Sequence, residues 1–290
     1  MFENFTQTQI ATDGATINLR YAGAGPPVLL LHGYPQTHTM WHLVAPRLAE
    51  RFTVVAADLR GYGDSSKPPG GDDHAGYAKR AMAHDQMRAM RALGFERFAV
   101  VGHDRGARVG HRMALDHPDR VTRLAVLDIV PTYHIFTHVT KELATLYYHW
   151  FFLIQPYDLP ERLIGADPLY YLHKKLGGWG GKLDIFAPEA LAEYERCFSD
   201  PAVIHASCED YRAAASIDLE HDTADHERKV GCPLLALWGE RGVPNRCHDV
   251  LAVWRDYASD VRGRVLPAGH FLAEEQPKET AEELLAFLAE

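Results

Sequence analysis

Gly102-His103-Asp104-Arg105-Gly106 follows a short apolar run at 98–101 and precedes an amphipathic stretch. A strand, a tight turn and a helix in that order lift the central side chain into a cleft, the arrangement called a nucleophile elbow. The chain contains no Gly-x-Ser-x-Gly, so serine-ester chemistry is disfavoured, and the carboxylate at the centre suits a different reaction. Aspartate is ionised at neutral pH. It attacks a saturated carbon without help from a base and leaves an ester on the protein that water must cleave. That second step calls for a general base, most often a histidine oriented by a carboxylate. His270 sits in Pro267-Ala268-Gly269-His270-Phe271, between the last apolar run and the closing helix, where such a base belongs. Two acids compete to orient it: Asp128, which ends the run at 124–127, and Glu240, which follows Trp238-Gly239. Asp128 is the favoured one. The plain alternatives are that Asp104 only caps a helix and that His270 is a surface-loop residue.

Two further features bear on the same chemistry. Leu31-His32-Gly33-Tyr34-Pro35-Gln36 closes the apolar run at 27–31, so the backbone N–H of Tyr34, paired with that of Arg105, suits an oxyanion hole for the ester's tetrahedral species. Arg105 and Arg108 lie one and four residues past Asp104, on one face of its helix. Cations at a helix N-terminus oppose the macrodipole and need a compensating anion. Asp104 supplies part of it. A substrate carboxylate gripped by the guanidinium forks would supply the rest, unless helix acids such as Asp85 or Asp116 pair with the arginines instead. Residues 58–65, Asp-Leu-Arg-Gly-Tyr-Gly-Asp-Ser, read as scaffold rather than chemistry.

The elements that would position these groups are legible as well. Apolar runs at 27–31, 53–57, 98–101 and 124–127 alternate with helical stretches at 41–49 and 84–93, the pattern of a parallel sheet covered on both faces. Residues 16–21 alternate as a half-exposed strand. From 133 to 224 the chain is aromatic and proline-punctuated, with helical segments at 140–153 and 188–197 and no convincing buried strand. Strand character returns at 233–238 and 264–266, and 277–288 closes the chain as a helix. The predicted architecture is α/β: a core of residues 1–132 and 225–290 interrupted by a helical cap, 133–224.

Composition narrows the function. With 290 residues, 47% of them apolar and 24% charged, the chain reads as an ordinary soluble globular protein. No apolar run approaches the roughly 20 residues of a bilayer span, and the N-terminus lacks signal-peptide order, so a cytoplasmic location is expected. Thirty basic against 39 acidic residues give a net charge of −9, which argues against nucleic-acid or anionic-membrane partners. Four scattered cysteines and 17 histidines without ligand spacing point to no metal and no disulfide framework.

The string Gly102-His103-Asp104-Arg105-Gly106-Ala107-Arg108, with His32-Gly33-Tyr34-Pro35 upstream and Gly269-His270 near the end, resembles the haloacetate dehalogenases of the α/β-hydrolase superfamily. The likeness runs over essentially the whole chain. Relatives acting on neutral haloalkanes or epoxides typically carry tryptophan where this chain has Arg105. The resemblance implies an α/β-hydrolase fold with an inserted helical cap and conversion of fluoroacetate or chloroacetate to glycolate and halide without a cofactor. It also implies a homodimer. It places a halide pocket at His149, Trp150 and Tyr211, whose N–H and O–H groups can donate while neutral, although the same aromatics, with Tyr147, Tyr148, Phe151 and Phe152, could simply be cap core. Trp179, in the predicted loop Gly177-Gly178-Trp179-Gly180-Gly181, would line the pocket wall. Tyr34 departs from the phenylalanine common after His-Gly in the family, which alters pocket polarity while sparing the backbone donor. The rival readings are an epoxide hydrolase, using the same aspartate with Tyr147, Tyr148 or Tyr211 as acid, and a non-catalytic binding module on the same scaffold.

Overall fold

A computed structural model describes residues 1–290. Eight strands form one sheet: β1 (Thr6–Ala11), β2 (Thr16–Ala22), β3 (Pro27–Leu31), β4 (Thr53–Ala57), β5 (Phe98–His103), β6 (Val121–Leu127), β7 (Leu234–Gly239) and β8 (Val261–Leu266), in spatial order β1-β2-β4-β3-β5-β6-β7-β8. β1 and β2 pair antiparallel, as do β2 and β4; every other pairing is parallel. The central strands are buried along nearly their whole length, because helices cover both faces and leave no side for water. The fold is the α/β-hydrolase one expected from the sequence.

Around the sheet run α1 (Ala45–Ala49), α2 (Lys79–Ala92) and α3 (Arg105–Asp116). Between β6 and β7 the chain makes eight α-helices, one short 3₁₀ turn (Leu183–Ile185) and no strand: α4 (Thr132–Thr137), α5 (Lys141–Leu146), α6 (Tyr148–Leu153), α7 (Leu159–Gly165), α8 (Pro168–Gly180), α9 (Pro188–Phe198), α10 (Pro201–Ala215) and α11 (Ile217–Ala224). Then follow α12 (Val243–Cys247), α13 (Val250–Tyr257), α14 (Leu272–Glu275) and α15 (Pro277–Leu288). No helix is long and apolar enough to cross a membrane.

Three expectations change in detail. The helix foreseen over 41–49 is a 3₁₀ turn, His38–Trp41, followed by α1 with proline in its first turn, the one helical turn where a missing N–H costs nothing. The stretch 140–153 breaks at Tyr147 (φ −100°, ψ 32°) into α5 and α6. Beside the break Tyr147, His149 and Trp150 are buried together while Tyr148 stays half exposed. The glycines around Trp179 form no loop: Gly177, Gly178 and Gly180 are the last turn of α8, and the chain leaves the helix at Gly181 (φ +88°). Packing of Leu172 and Leu176 in the core outweighs the weak helix propensity of those glycines.

The elbow depends on close approach of β5, α3 and β3. A Cβ on Gly106 would lie 2.6 Å from the Leu31 carbonyl carbon, and one on Gly102 would lie 2.5 Å from the Ala107 backbone. Neither neighbour is a side chain that can swing away. Gly106→Ala is therefore expected to destabilise the fold by about 1–3 kcal/mol, read as a lower denaturant midpoint; an unchanged midpoint would mean that β3 and α3 part without cost.

Candidate active site

Asp104 stands between the end of β5 and the start of α3 with φ +43° and ψ −113°, a strained conformation for a residue with a Cβ. Its side chain makes no capping hydrogen bond to α3, so the N-cap alternative does not describe it. Instead Oδ2 accepts the Tyr34 backbone N–H at 3.1 Å. Gly33 permits this: a Cβ there would come within 2.5 Å of the Asp104 Cβ. The Arg105 N–H, first in its helix, has no intrahelical acceptor. Burial alone would raise the Asp104 pKa, but His270, Arg108 and Arg105 together hold the carboxyl below its ordinary value.

His270 and Asp128 meet as the favoured sequence reading has it. His270 Nδ1 lies 2.7 Å from Asp128 Oδ2, and Asp128 Oδ1 accepts the Gly239 N–H at 2.9 Å. An ionised Asp128 can only accept, so Nδ1 carries the proton and Nε2 is left as the basic nitrogen. Burial opposes a charged imidazole, yet the Asp128 carboxylate, with Asp104, raises the His270 pKa above 6.5. Burial likewise raises Asp128 from its usual value, against the pull of His270. Glu240 is exposed at the end of β7 and makes no contact with His270.

Asp104, Asp128, His149, Trp150, Trp179 and His270 line one cavity of about 240 Å³. Arg105, Arg108, Tyr34 and Tyr211 lie behind that lining. Tyr211 packs edge-on against His149, Trp150 and Tyr34, with centroids 5.6, 5.7 and 5.4 Å away. The guanidinium of Arg108 stacks 4.5 Å from the Trp150 ring centroid, and that of Arg105 lies 4.2 Å from the Tyr211 ring. In this closed end Tyr211 Oη, His149 Nδ1, Arg105 Nη1 and Arg108 Nε are buried without a protein hydrogen-bond partner. Buried donors are nearly always satisfied, so these unpaired ones are chemically free to donate to an acceptor that enters the cavity. Burial, reinforced by Lys175 and the arginines, drives the His149 pKa well below 6.5, and burial pushes the Tyr211 phenol well above 10; both are neutral donors.

The arginines pair with neither Asp85, which binds Arg60 at 2.5 Å, nor Asp116, which binds Arg80 and Arg112 at 2.8 Å. Arg105 is instead gripped by Asp210 of α10: Nε to Oδ2 at 2.9 Å, and Nη2 to Oδ1 at 2.6 Å and to the backbone carbonyl at 2.8 Å. Asp210 also takes Tyr62 Oη at 2.7 Å and the Lys79 ammonium. Arg108 has no carboxylate; its Nη1 donates to the Val130 carbonyl at 2.9 Å and to Thr132 Oγ1 at 3.0 Å. Sequence reasoning did not find Asp210 or Thr132. The only trace of Asp210 was its place beside Tyr211.

The family described as the alpha/beta hydrolase fold matches residues 26–277. A fluoroacetate dehalogenase from Burkholderia sp is 51% identical, with 100% of this chain and 96% of that protein aligned. A soluble epoxide hydrolase from Corynebacterium sp. (strain C12) is 34% identical over 100% of this chain and 99% of its own length. A crystal structure from Nostoc sp PCC 7120, described as an alpha/beta hydrolase, superposes with a TM-score of 0.98 at 62% identity, covering 99% of each chain.

Proposed function

The chain belongs to the α/β-hydrolase family, and we propose that within it the protein hydrolyses the carbon–halogen bond of short 2-haloacids through an ester on Asp104. The observation that carries this reading is the placement of Asp104 beside two buried arginines, one of which, Arg108, has no carboxylate partner. With a neutral substrate the two guanidinium charges facing the cavity would be answered only by Asp104 and, for Arg105, Asp210; a substrate carboxylate supplies the missing anion. The 51% identity to a fluoroacetate dehalogenase supports the same choice.

The geometry divides the labour. Because Tyr34 N–H holds Oδ2, Oδ1 is the attacking oxygen. It displaces halide from the carbon next to the substrate carboxylate, and the carbon–halogen electrons leave with the halide toward the His149, Trp150 and Tyr211 donors. Residues 133–224 act here as a cap that supplies those donors. His270 Nε2 then takes a proton from water, whose oxygen adds to Asp104 Cγ. The negative charge gathers on Oδ2, facing the Tyr34 and Arg105 N–H groups. Collapse breaks the Cγ–Oδ1 bond and releases the hydroxyacid, glycolate from fluoroacetate or chloroacetate. Water's second proton completes the alcohol, and His270 returns its proton to solvent. A cavity of about 240 Å³ is smaller than the roughly 300 Å³ at which drug-sized sites begin, in keeping with two-carbon acids.

The test is halide release across fluoroacetate, chloroacetate and a neutral epoxide. Release from the haloacids is expected. Diol formation from the epoxide with no halide release would select epoxide hydrolysis, the activity named for the Corynebacterium relative, and tight haloacid binding without turnover would select a binding module. Ester hydrolysis needs neutral His270, whose pKa lies above 6.5. Turnover should therefore rise with pH along a limb centred above that value, and a limb centred below it would remove His270 from the base role.

A further inference from the structure

The cavity that holds Asp104 opens past four cationic side chains, Lys174, Lys175, Arg241 and Arg246, in a protein whose net charge of −9 repels carboxylates. Two of these charges are already answered: Arg241 pairs with Glu275 at 2.7 Å and Arg246 with Glu142 at 2.8 Å. Lys174 is solvent-exposed and lies over the Tyr170 ring. Lys175 differs from all three. It is 3% exposed, no charged group offsets its burial, and its Nζ rests 3.5 Å from the Tyr148 ring centroid and 5.1 Å from that of Trp179, with Tyr171 at 5.7 Å. Ring faces recover about 2 kcal/mol of a desolvated ammonium's hydration, well short of what burial removes.

We propose that Lys175 is a capture point for the substrate carboxylate, an unpaired ammonium held on aromatic faces in the cavity wall, from which the acid passes inward to Arg105 and Arg108. This rests on the haloacid reading above and extends it from the chemistry to the approach. An anion in the cavity meets a charge that water screens little, whereas the paired, exposed arginines at the mouth are screened within a Debye length. The groups facing Lys175 contain nothing to compete with that anion. From α6 come Tyr148 and His149, the latter held neutral; from α8 itself come Tyr171, Trp179 and Lys174. His173, the ionisable neighbour toward α9, is occupied with Glu195 at 2.7 Å, and beyond β7 stand only the Arg241–Glu275 and Arg246–Glu142 pairs. Burial lowers the Lys175 pKa to about 7, so the charge is present at acid pH and is lost as pH rises through neutrality, when capture should weaken.

The experiment measures chloride release from chloroacetate between pH 6 and pH 8.5 for the full chain, Lys175→Met and Lys175→Arg. In the wild type kcat/KM, which does not contain the ester-hydrolysis step, should fall several-fold across neutrality. Lys175→Met should show a kcat/KM about tenfold lower at pH 6, with kcat within about twofold and kcat/KM nearly flat with pH. Lys175→Arg, still charged at pH 8.5, should keep the high kcat/KM and lose the fall. A wild-type kcat/KM at pH 6 in Lys175→Met, or a persistent fall in Lys175→Arg, overturns the proposal while leaving the haloacid reading intact. Absence of halide release in the wild type overturns both.

Discussion

Incubated with chloroacetate, a His270→Asn variant is expected to gain the mass of one carboxymethyl group on Asp104 and to go no further, while Asp104→Ala is expected to gain nothing and to release no halide. The split follows from where each group sits. Asp104 is held ionised against the pull of burial by His270 and also by Arg108 and Arg105, so it needs no base to attack, and with asparagine at 270 the two arginines still favour the carboxylate that displaces halide. The second step has no substitute proton acceptor. His103, the nearest imidazole at 4.4 Å between ring centroids, uses Nε2 to hold the His270 carbonyl, and burial lowers its pKa to about 3. Loss of general-base assistance costs on the order of 10²–10⁴ in turnover, and loss of a nucleophile about 10⁵ or more. Intact-mass spectrometry and a halide assay read both. Near-normal turnover by His270→Asn would contradict the base assignment. A first turnover in heavy-oxygen water that labels glycolate rather than Asp104 would contradict the ester itself.

The groups whose identity depends on short spacing were legible from the amino-acid sequence: Asp104 in its elbow, His270 in its loop, and the apolar runs that became β3 to β6. Local chemistry specifies these. A continuous apolar run has nowhere to go but a sheet buried on both faces, and paired glycines beside a strand permit a turn that little else permits. What depends on long-range docking was not legible. Asp210 reaches Arg105 from 105 residues away, through the seating of α10 on the core, and nothing periodic announces that. Lys175 looks like any helix lysine until α6 and α8 close aromatic rings around it. β1 was missed for the opposite reason: at the sheet edge, with Ile10 its one large apolar residue, it carries little hydrophobic signal. The choice of Asp128 over Glu240 turns on which strand end lies nearer the nucleophile strand, and the sheet order supplies that by placing β6 beside β5 and β7 beyond it.

The two arginines, adjacent on one helix face, are expected to fail differently when removed. Arg105 spends its guanidinium on Asp210, a carboxylate that Lys79 and Tyr62 also hold and that is fully buried. Burial would raise the Asp210 pKa, but Arg105 and Lys79 hold it far below the ordinary range, so Arg105→Met leaves a buried, under-compensated charge. Breaking such a pair typically costs about 3–5 kcal/mol, and thermal or denaturant unfolding should show a loss of that order along with lost activity. Asp210→Asn with Arg105→Met should restore part of the stability, because the charge is removed with its partner. Arg108 has only the Val130 carbonyl and Thr132 hydroxyl to lose, neither of them charged, and burial already lowers its pKa. Removing it relieves a desolvated cation, so Arg108→Met should unfold at or near the wild-type midpoint. Its cost should appear in catalysis: a charged hydrogen bond to substrate is worth about 1.5–3 kcal/mol, or on the order of 10–10² in kcat/KM. Lysine should recover little of this, since a point charge cannot reproduce the planar fork. Should Arg108→Met instead unfold as readily as Arg105→Met while retaining kcat/KM, Arg108 would be a structural residue, and the uncompensated charge on which the haloacid reading stands would have no substrate to meet.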